Sequence, residues 1–283
     1  MRFSQLLCIS VLLVSCSQEK DLDLLTIYTS RQPQLIEPLL EQYKEKTGIE
    51  VRLLSGKAPQ LMERIAVESD ITEADIFMTV DAGVLWQAGE KGILEDINSK
   101  ILNENIPEHL RDASGKWFGL SKRARTIVYN SDKVSADELS SYKDLADPKW
   151  ANKLCLRTST KVYNRSLIAS MIDADGYENT KKIVQGWVNN LATEVFSSDT
   201  QVLKAVSAGQ CNVTIVNTYY LARLADDPTY SNLKLHWANQ DGRGTHVNIS
   251  GAGVTRYSKN KVEATKLLEW LSSAEAQEIY AGA

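Results

Sequence analysis

From Leu24 onward the chain alternates short apolar runs with segments of helical period, and this rhythm narrows the fold more than any other feature. Leu24–Thr29 reads LLTIYT, an unbroken apolar run typical of a parallel strand covered on both faces. After the turn Ser30-Arg31-Gln32-Pro33, the residues Leu35, Ile36, Leu39, Leu40 and Tyr43 fall on one helical face, and Gly48 closes the helix. Residues 49–54 form a second strand. Leu61, Met62, Ile65 and Ala66 mark another amphipathic helix, and residues 75–80 a third strand with a helix after it from Asp81 to about Glu90. Strands alternating with helices predict an α/β fold with a largely parallel sheet.

The rhythm then breaks. Residues 117–130, WFGLSKRARTIVYN, form a long segment with the basic run Lys122-Arg123-Ala124-Arg125 at its middle, which reads as a hinge crossing between two lobes. Ser135 with Glu138 has the spacing of a capping box. Alternation restarts at the strand 154–157, followed by a helix near Tyr163 that turns Leu167, Ile168, Met171 and Ile172 inward. Two further helices follow, then a strand ending at Asn217, and another over 233–238. The glycine-rich stretch 242–253 is the return crossing, and two helices finish the chain. The predicted organisation is lobe one over 24–120 with 246–283, and lobe two over 121–245.

The first 15 residues stand apart. One charge at Arg2, an apolar run from Leu6 to Val14 and the small Ser15 make an export signal. The tetrapeptide Leu13-Val14-Ser15-Cys16 resembles a bacterial lipobox, which implies cleavage before Cys16 and a lipid on its thiol, with residues 16–23 as a polar tether. No later stretch is apolar enough to span a bilayer. The net charge of −4 and the lack of a long basic tract give no reason to expect a nucleic-acid partner. Cys155 and Cys211 are the cysteines of the folded part. They head separate predicted strands, and either a disulfide or two buried thiols fits an exported chain.

The most informative stretch is 211–223, CNVTIVNTYYLAR. A buried strand stops at Asn217 and a helix opens with Thr218, Tyr219 and Tyr220. This is the carboxyl end of a strand, where open α/β sheets place ligands. Tyr163 has the same description, after a strand and at a helix start. Helix starts favour negative charge, and a bound cation of high charge displaces the phenolic proton. Phenolate is a hard donor, and three phenolates balance a trivalent cation such as ferric iron. Most of the 11 tyrosines must nevertheless be packing residues. His109, His236 and His246 are scattered and fit no zinc pattern. Arg31, Arg123 and Arg223 lie near strand ends or in the crossing. Together they have the forks to hold an oxyanion or to balance phenolate charge.

The segments LTIYTSRQPQLIEPLL, ADIFMTVDAG, WFGLSKRARTIVYN, GQCNVTIVNTYYLARL and RGTHVNISGAGV resemble the ferric-iron-binding substrate proteins of bacterial ABC transporters. The resemblance runs from about residue 24 to the end. It implies the two-lobed type II periplasmic-binding-protein fold, with two open, mostly parallel sheets joined by crossing hinge strands. It also implies that Tyr163, Tyr219 and Tyr220 bind Fe(III). Many members add a histidine or a His-Tyr pair in the turn after the first strand, where this chain has Arg31-Gln32-Pro33. It therefore looks like the members that complete the shell with carbonate or another synergistic anion. On that reading Arg31 and Gln32 hold the anion, Arg123 supports the cleft, Arg223 flanks the pair and Tyr28 is packing. The chain also ends at Tyr280-Ala281-Gly282-Ala283, before the family's usual closing segment.

The implied function is capture of Fe(III) outside the cytoplasm, in the periplasm or at the outer face of the cytoplasmic membrane. The implied partners are an ABC-type permease and its ATPase, with the membrane reached through the lipid on Cys16. The alternative keeps the fold and binds an oxyanion or small organic solute through the arginines. An exported hydrolase is disfavoured, since neither a G-x-S-x-G elbow nor an H-E-x-x-H helix occurs.

Overall fold

A computed structural model describes residues 24–282; the export signal, Cys16 and the tether lie outside the described residues. In chain order the first half contains β1 (Leu24–Thr29), α1 (Glu37–Thr47), β2 (Glu50–Ser55), α2 (Ala58–Glu68), β3 (Ile76–Thr79), α3 (Ala82–Glu90) and α4 (Lys100–Asn105). The long β4 (Phe118–Asn130) leads to β5 (Leu154–Cys155), α5 (Val162–Asp175), α6 (Tyr177–Asn189), α7 (Asp199–Ser207), β6 (Val213–Asn217), α8 (Thr218–Ala222) and β7 (Leu233–His236). The long β8 (His246–Val254) returns the chain to α9 (Lys261–Leu271) and α10 (Ala274–Gly282).

Local chemistry sets many of these bounds. Gly48 ends α1 in the left-handed region with φ 78°. Asp81 caps α3, its carboxylate accepting from the Val84 N–H at 3.1 Å. Ser135 and Glu138 do form a capping box, on a single 3-10 turn.

The two expected sheets are fused into one curled sheet of order β2-β1-β3-β8-β4-β6-β5, with β7 also on β4. The parallel ladders among the described strands are β1–β2, β1–β3 and β5–β6. Every ladder that includes β4 or β8 is antiparallel, so the sheet is more mixed than the alternation suggests. Its middle explains why. Residues Ser121 to Arg125 of β4 pair with His246 to Ser250 of β8, and the rest of each strand pairs inside one half of the sheet. A chain that crosses and returns by the same route lays its two crossing strands antiparallel. Gly251 and Gly253 permit this approach, because a Cβ on either would stand 2.3 Å from the Phe118 carbonyl oxygen or 2.2 Å from that of Lys116.

Burial follows the pleat. Ile27 and Tyr28 enter opposite clusters of the first half, one around Leu39, Leu267 and Leu268, the other around Leu61, Ile65, Phe77 and Leu85. Ile127 and Val128 do the same in the second half, one cluster containing Trp150, Leu167 and Trp187, the other Val202, Val206 and Val216. Tyr28 is fully buried and its hydroxyl donates to Glu68 at 3.2 Å, a packing role. Cys155 and Cys211 are joined by a disulfide that ties β5 to the residues leading into β6.

Candidate metal centre

β6 is buried at every position because helices cover both faces of its half of the sheet. At its end the extended Asn217 turns the chain into α8, which presents Tyr219 and Tyr220 with ring centroids 4.3 Å apart. Tyr163 enters from the first turn of α5. Tyr163 and Tyr220 both stand close enough to the Tyr219 hydroxyl to act on its ionisation. Two separate strand ends thus bring three phenols together. α8 has only five residues, so the helix-start argument has little force there. Burial dominates instead. It pushes the Tyr219 phenol well above its usual range, and the neighbouring oxygens of Tyr163 and Tyr220 push it further. Tyr219 therefore holds its proton at neutral pH.

Guanidinium groups surround the cluster. Arg123 stands 5.0 Å from the Tyr163 ring centroid, and a second of its nitrogens donates to the Val80 carbonyl at the end of β3. Arg223 lies 5.3 Å from the Tyr219 ring and 6.0 Å from that of Tyr220, on the exposed side. Arg31 comes from the turn after β1, with the Tyr280 ring 4.6 Å from its guanidinium carbon. Burial lowers the Arg31 guanidinium to about 10, with Arg123 adding to the fall and Tyr219 and Tyr163 opposing it. Burial also lowers Arg123, against the pull of Tyr163, Tyr219 and Asp81. Arg31 Nε and Arg123 Nη1 are buried with no hydrogen-bond partner. Two unsatisfied cationic donors beside one cleft are what a small oxyanion would satisfy. Gln32 is placed differently: it is exposed, and its carboxamide oxygen accepts from Gln34 at 3.1 Å.

Several contributors were not singled out from the sequence. Arg157 leaves β5 toward Tyr163, 5.3 Å from its ring, and pairs with Asp199 at 3.1 Å. Burial works against the Arg157 charge, but Asp199 and a bond to Tyr220 outweigh it and raise the group. Its position at a strand end was the available signal. Asp81 accepts from Ser166 Oγ of α5 and from Asn248 Nδ2 at 2.9 Å, tying the two halves of the sheet across the cleft. His246 lines a hollow with Arg123, Arg125, Tyr163, Asn217 and Asn248. Burial and then the charges of Arg123 and Arg125 lower it to about 4, so it is a neutral, structural imidazole at pH 7. Among the described residues no three His, Cys, Asp or Glu side chains come together as a metal site. A cation here would be held by phenol oxygens.

The chain is 43% identical over 283 residues to iron uptake protein A1 of Synechocystis sp., covering 95% of this chain and 79% of that protein. A Trichodesmium protein solved in complex with iron and citrate ligands superposes with a TM-score of 0.84 at 45% identity, over 91% of this chain and 83% of that one. The ferric binding protein from Campylobacter jejuni gives a TM-score of 0.85 at 36% identity, over 90% and 83% of the two chains. The model of the bacterial extracellular solute-binding proteins matches residues 28–278, and the protein belongs to that family.

Proposed function

We propose that this chain captures Fe(III) outside the cytoplasm and delivers it to an ABC-type permease and its ATPase for uptake. Tyr163, Tyr219 and Tyr220 are the metal ligands. Carbonate or another small anion completes the shell, held by Arg31 and Arg123, with Gln32 beside Arg31 in the turn after β1 and Arg223 balancing charge on the exposed side. Lobe one comprises residues 24–120 with 246–283, and lobe two residues 121–245. A lipid on Cys16 holds the protein at the outer face of the membrane, near its permease.

The observation that carries this reading is the convergence of three phenols from two strand ends, with unpartnered arginine nitrogens beside them. Iron is cargo, not a resident cofactor. Three phenols that release their protons to a trivalent cation leave a neutral core, and the surrounding guanidiniums then attract an anion. The phenols belong to lobe two and Arg31 to lobe one, so lobe two takes the metal first and closure completes the shell.

The test is direct. Ferric citrate is added to purified apo protein, with and without bicarbonate. A phenolate-to-iron charge-transfer colour is expected, one iron per chain, and Tyr220→Phe should lose most of it. A colourless wild type that retains no iron overturns the reading and leaves the same cleft to an oxyanion or a small organic solute.

A further inference from the structure

Arg125 is the most highly bonded side chain near the cleft, and the capture chemistry does not use it. It sits at the inner end of the two-stranded crossing, 2% exposed. Its Nε and Nη2 donate to Asn164 Oδ1 at 3.0 and 2.6 Å. Its Nη1 donates to Asn217 Oδ1 at 3.1 Å, and its Nη2 to the Ile215 carbonyl at 2.9 Å. Asp199 neutralises it at 3.3 Å and also pairs with Arg157.

The two amides stand next to the phenols. Asn164 follows Tyr163 directly, and its Nδ2 donates to the Arg157 carbonyl at 2.6 Å, fixing the strand end from which α5 departs. Asn217 precedes the tyrosine pair, and its Nδ2 reaches the Tyr219 hydroxyl at 3.5 Å. Guanidinium can only donate, so each amide must turn its carbonyl toward Arg125. The opposite, N–H₂ edge of each amide is thereby aimed outward, at the Tyr219 oxygen in one case and at the backbone behind Tyr163 in the other.

We propose that Arg125 is the positioning residue of the centre: one buried guanidinium aims Tyr163 through Asn164 and Tyr219 through Asn217, so that phenols from two strand ends are aligned before any cation arrives. The proposal rests on the phenol cluster being the metal site and adds a group that touches neither metal nor anion. Pre-alignment of this kind raises affinity by removing the cost of ordering ligands at binding.

The experiment compares wild type with Asn164→Ala, Asn217→Ala and Arg125→Lys, the last keeping the charge but not the fork. Thermal unfolding monitors the fold. Without metal, the phenol-carbon NMR resonances of Tyr163 and Tyr219 report alignment. With Fe(III), the charge-transfer band and the rate of iron loss to EDTA report its consequence. Asn164→Ala should move the Tyr163 resonance, Asn217→Ala that of Tyr219, and Arg125→Lys both. Each variant should lose iron about tenfold faster with a shifted band, the usual scale for a group behind a metal ligand. Wild-type resonances and bands in both asparagine variants, or in a folded Arg125→Lys, overturn the proposal. Should Arg125→Lys fail to fold, the asparagine variants decide. Should wild type take up no iron, the metal reading fails while the metal-free resonances still decide the alignment.

Discussion

At Tyr219 burial and two neighbouring phenols act in the same direction, holding the proton on the oxygen. Its folded, metal-free form is therefore protonated throughout the neutral range, and binding a cation must release that proton. The metal-bound state carries fewer protons, so raising the pH favours it and acid favours release. If three phenols ionise together, log K should climb by up to about three per pH unit, one for each proton displaced. Competition against a chelator between pH 6 and 8 measures the slope, and Tyr219→Phe should lower it by about one. The tyrosine pair was legible because two adjacent phenols at a strand end are a local pattern. The direction of its electrostatics was not, because a five-residue helix has little dipole and desolvation depends on tertiary packing. The network of Arg125, Asn217 and Asp199 was not legible for the same reason. Each looks ordinary in its own segment, and only the fold closes their network.

Among the elements, the crossing strands carry the most information per residue. The break in rhythm at 117–130 and the glycines of 242–253 announced two crossings, and β4 and β8 are those strands. Their pairing with each other was not legible, because partner choice is a property of the whole sheet. Gly251 matters through space, not flexibility. Gly251→Ala puts a methyl 2.3 Å from a backbone oxygen that cannot move without breaking the ladder. It should cost about 2–4 kcal/mol of stability in urea unfolding, the range of a severe packing clash. The disulfide joins residues 56 apart in sequence, linking β5 to the residues that lead into β6, at the end of that strand away from the tyrosine pair. Chain-entropy scaling gives it about 4 kcal/mol at that separation, with measured bridges more often nearer 2–4. Replacing both cysteines by alanine should lower the urea midpoint accordingly and leave the iron stoichiometry at one. A larger effect on iron than on stability would mean that the bridge also shapes the site.

For the whole molecule the decisive question is what keeps the cleft shut around its cargo. Among the described residues the chain passes between the two halves in the paired segments of β4 and β8, and a two-stranded bridge bends more easily than a packed core. Closure must therefore draw on contacts across the cleft. Arg123 reaches from the crossing to the Val80 carbonyl while facing Tyr163, and Asp81 reaches from the first half to Ser166 on α5. The second contact is the cleaner one to remove, because Ser166 lies one turn from Tyr163 and touches no phenol. A hydrogen bond to a carboxylate contributes about 1.5–3 kcal/mol. Losing it in Ser166→Ala, with water partly replacing it in the open form, should speed iron release about tenfold, equivalent to about 1.4 kcal/mol. The charge-transfer band should stay where it is, since no ligand is displaced. Small-angle scattering of the loaded variant should report a larger population of open molecules than the wild type. An unchanged release rate would place the closing free energy in the anion and its arginines instead. In that case removing bicarbonate should accelerate release in both proteins equally.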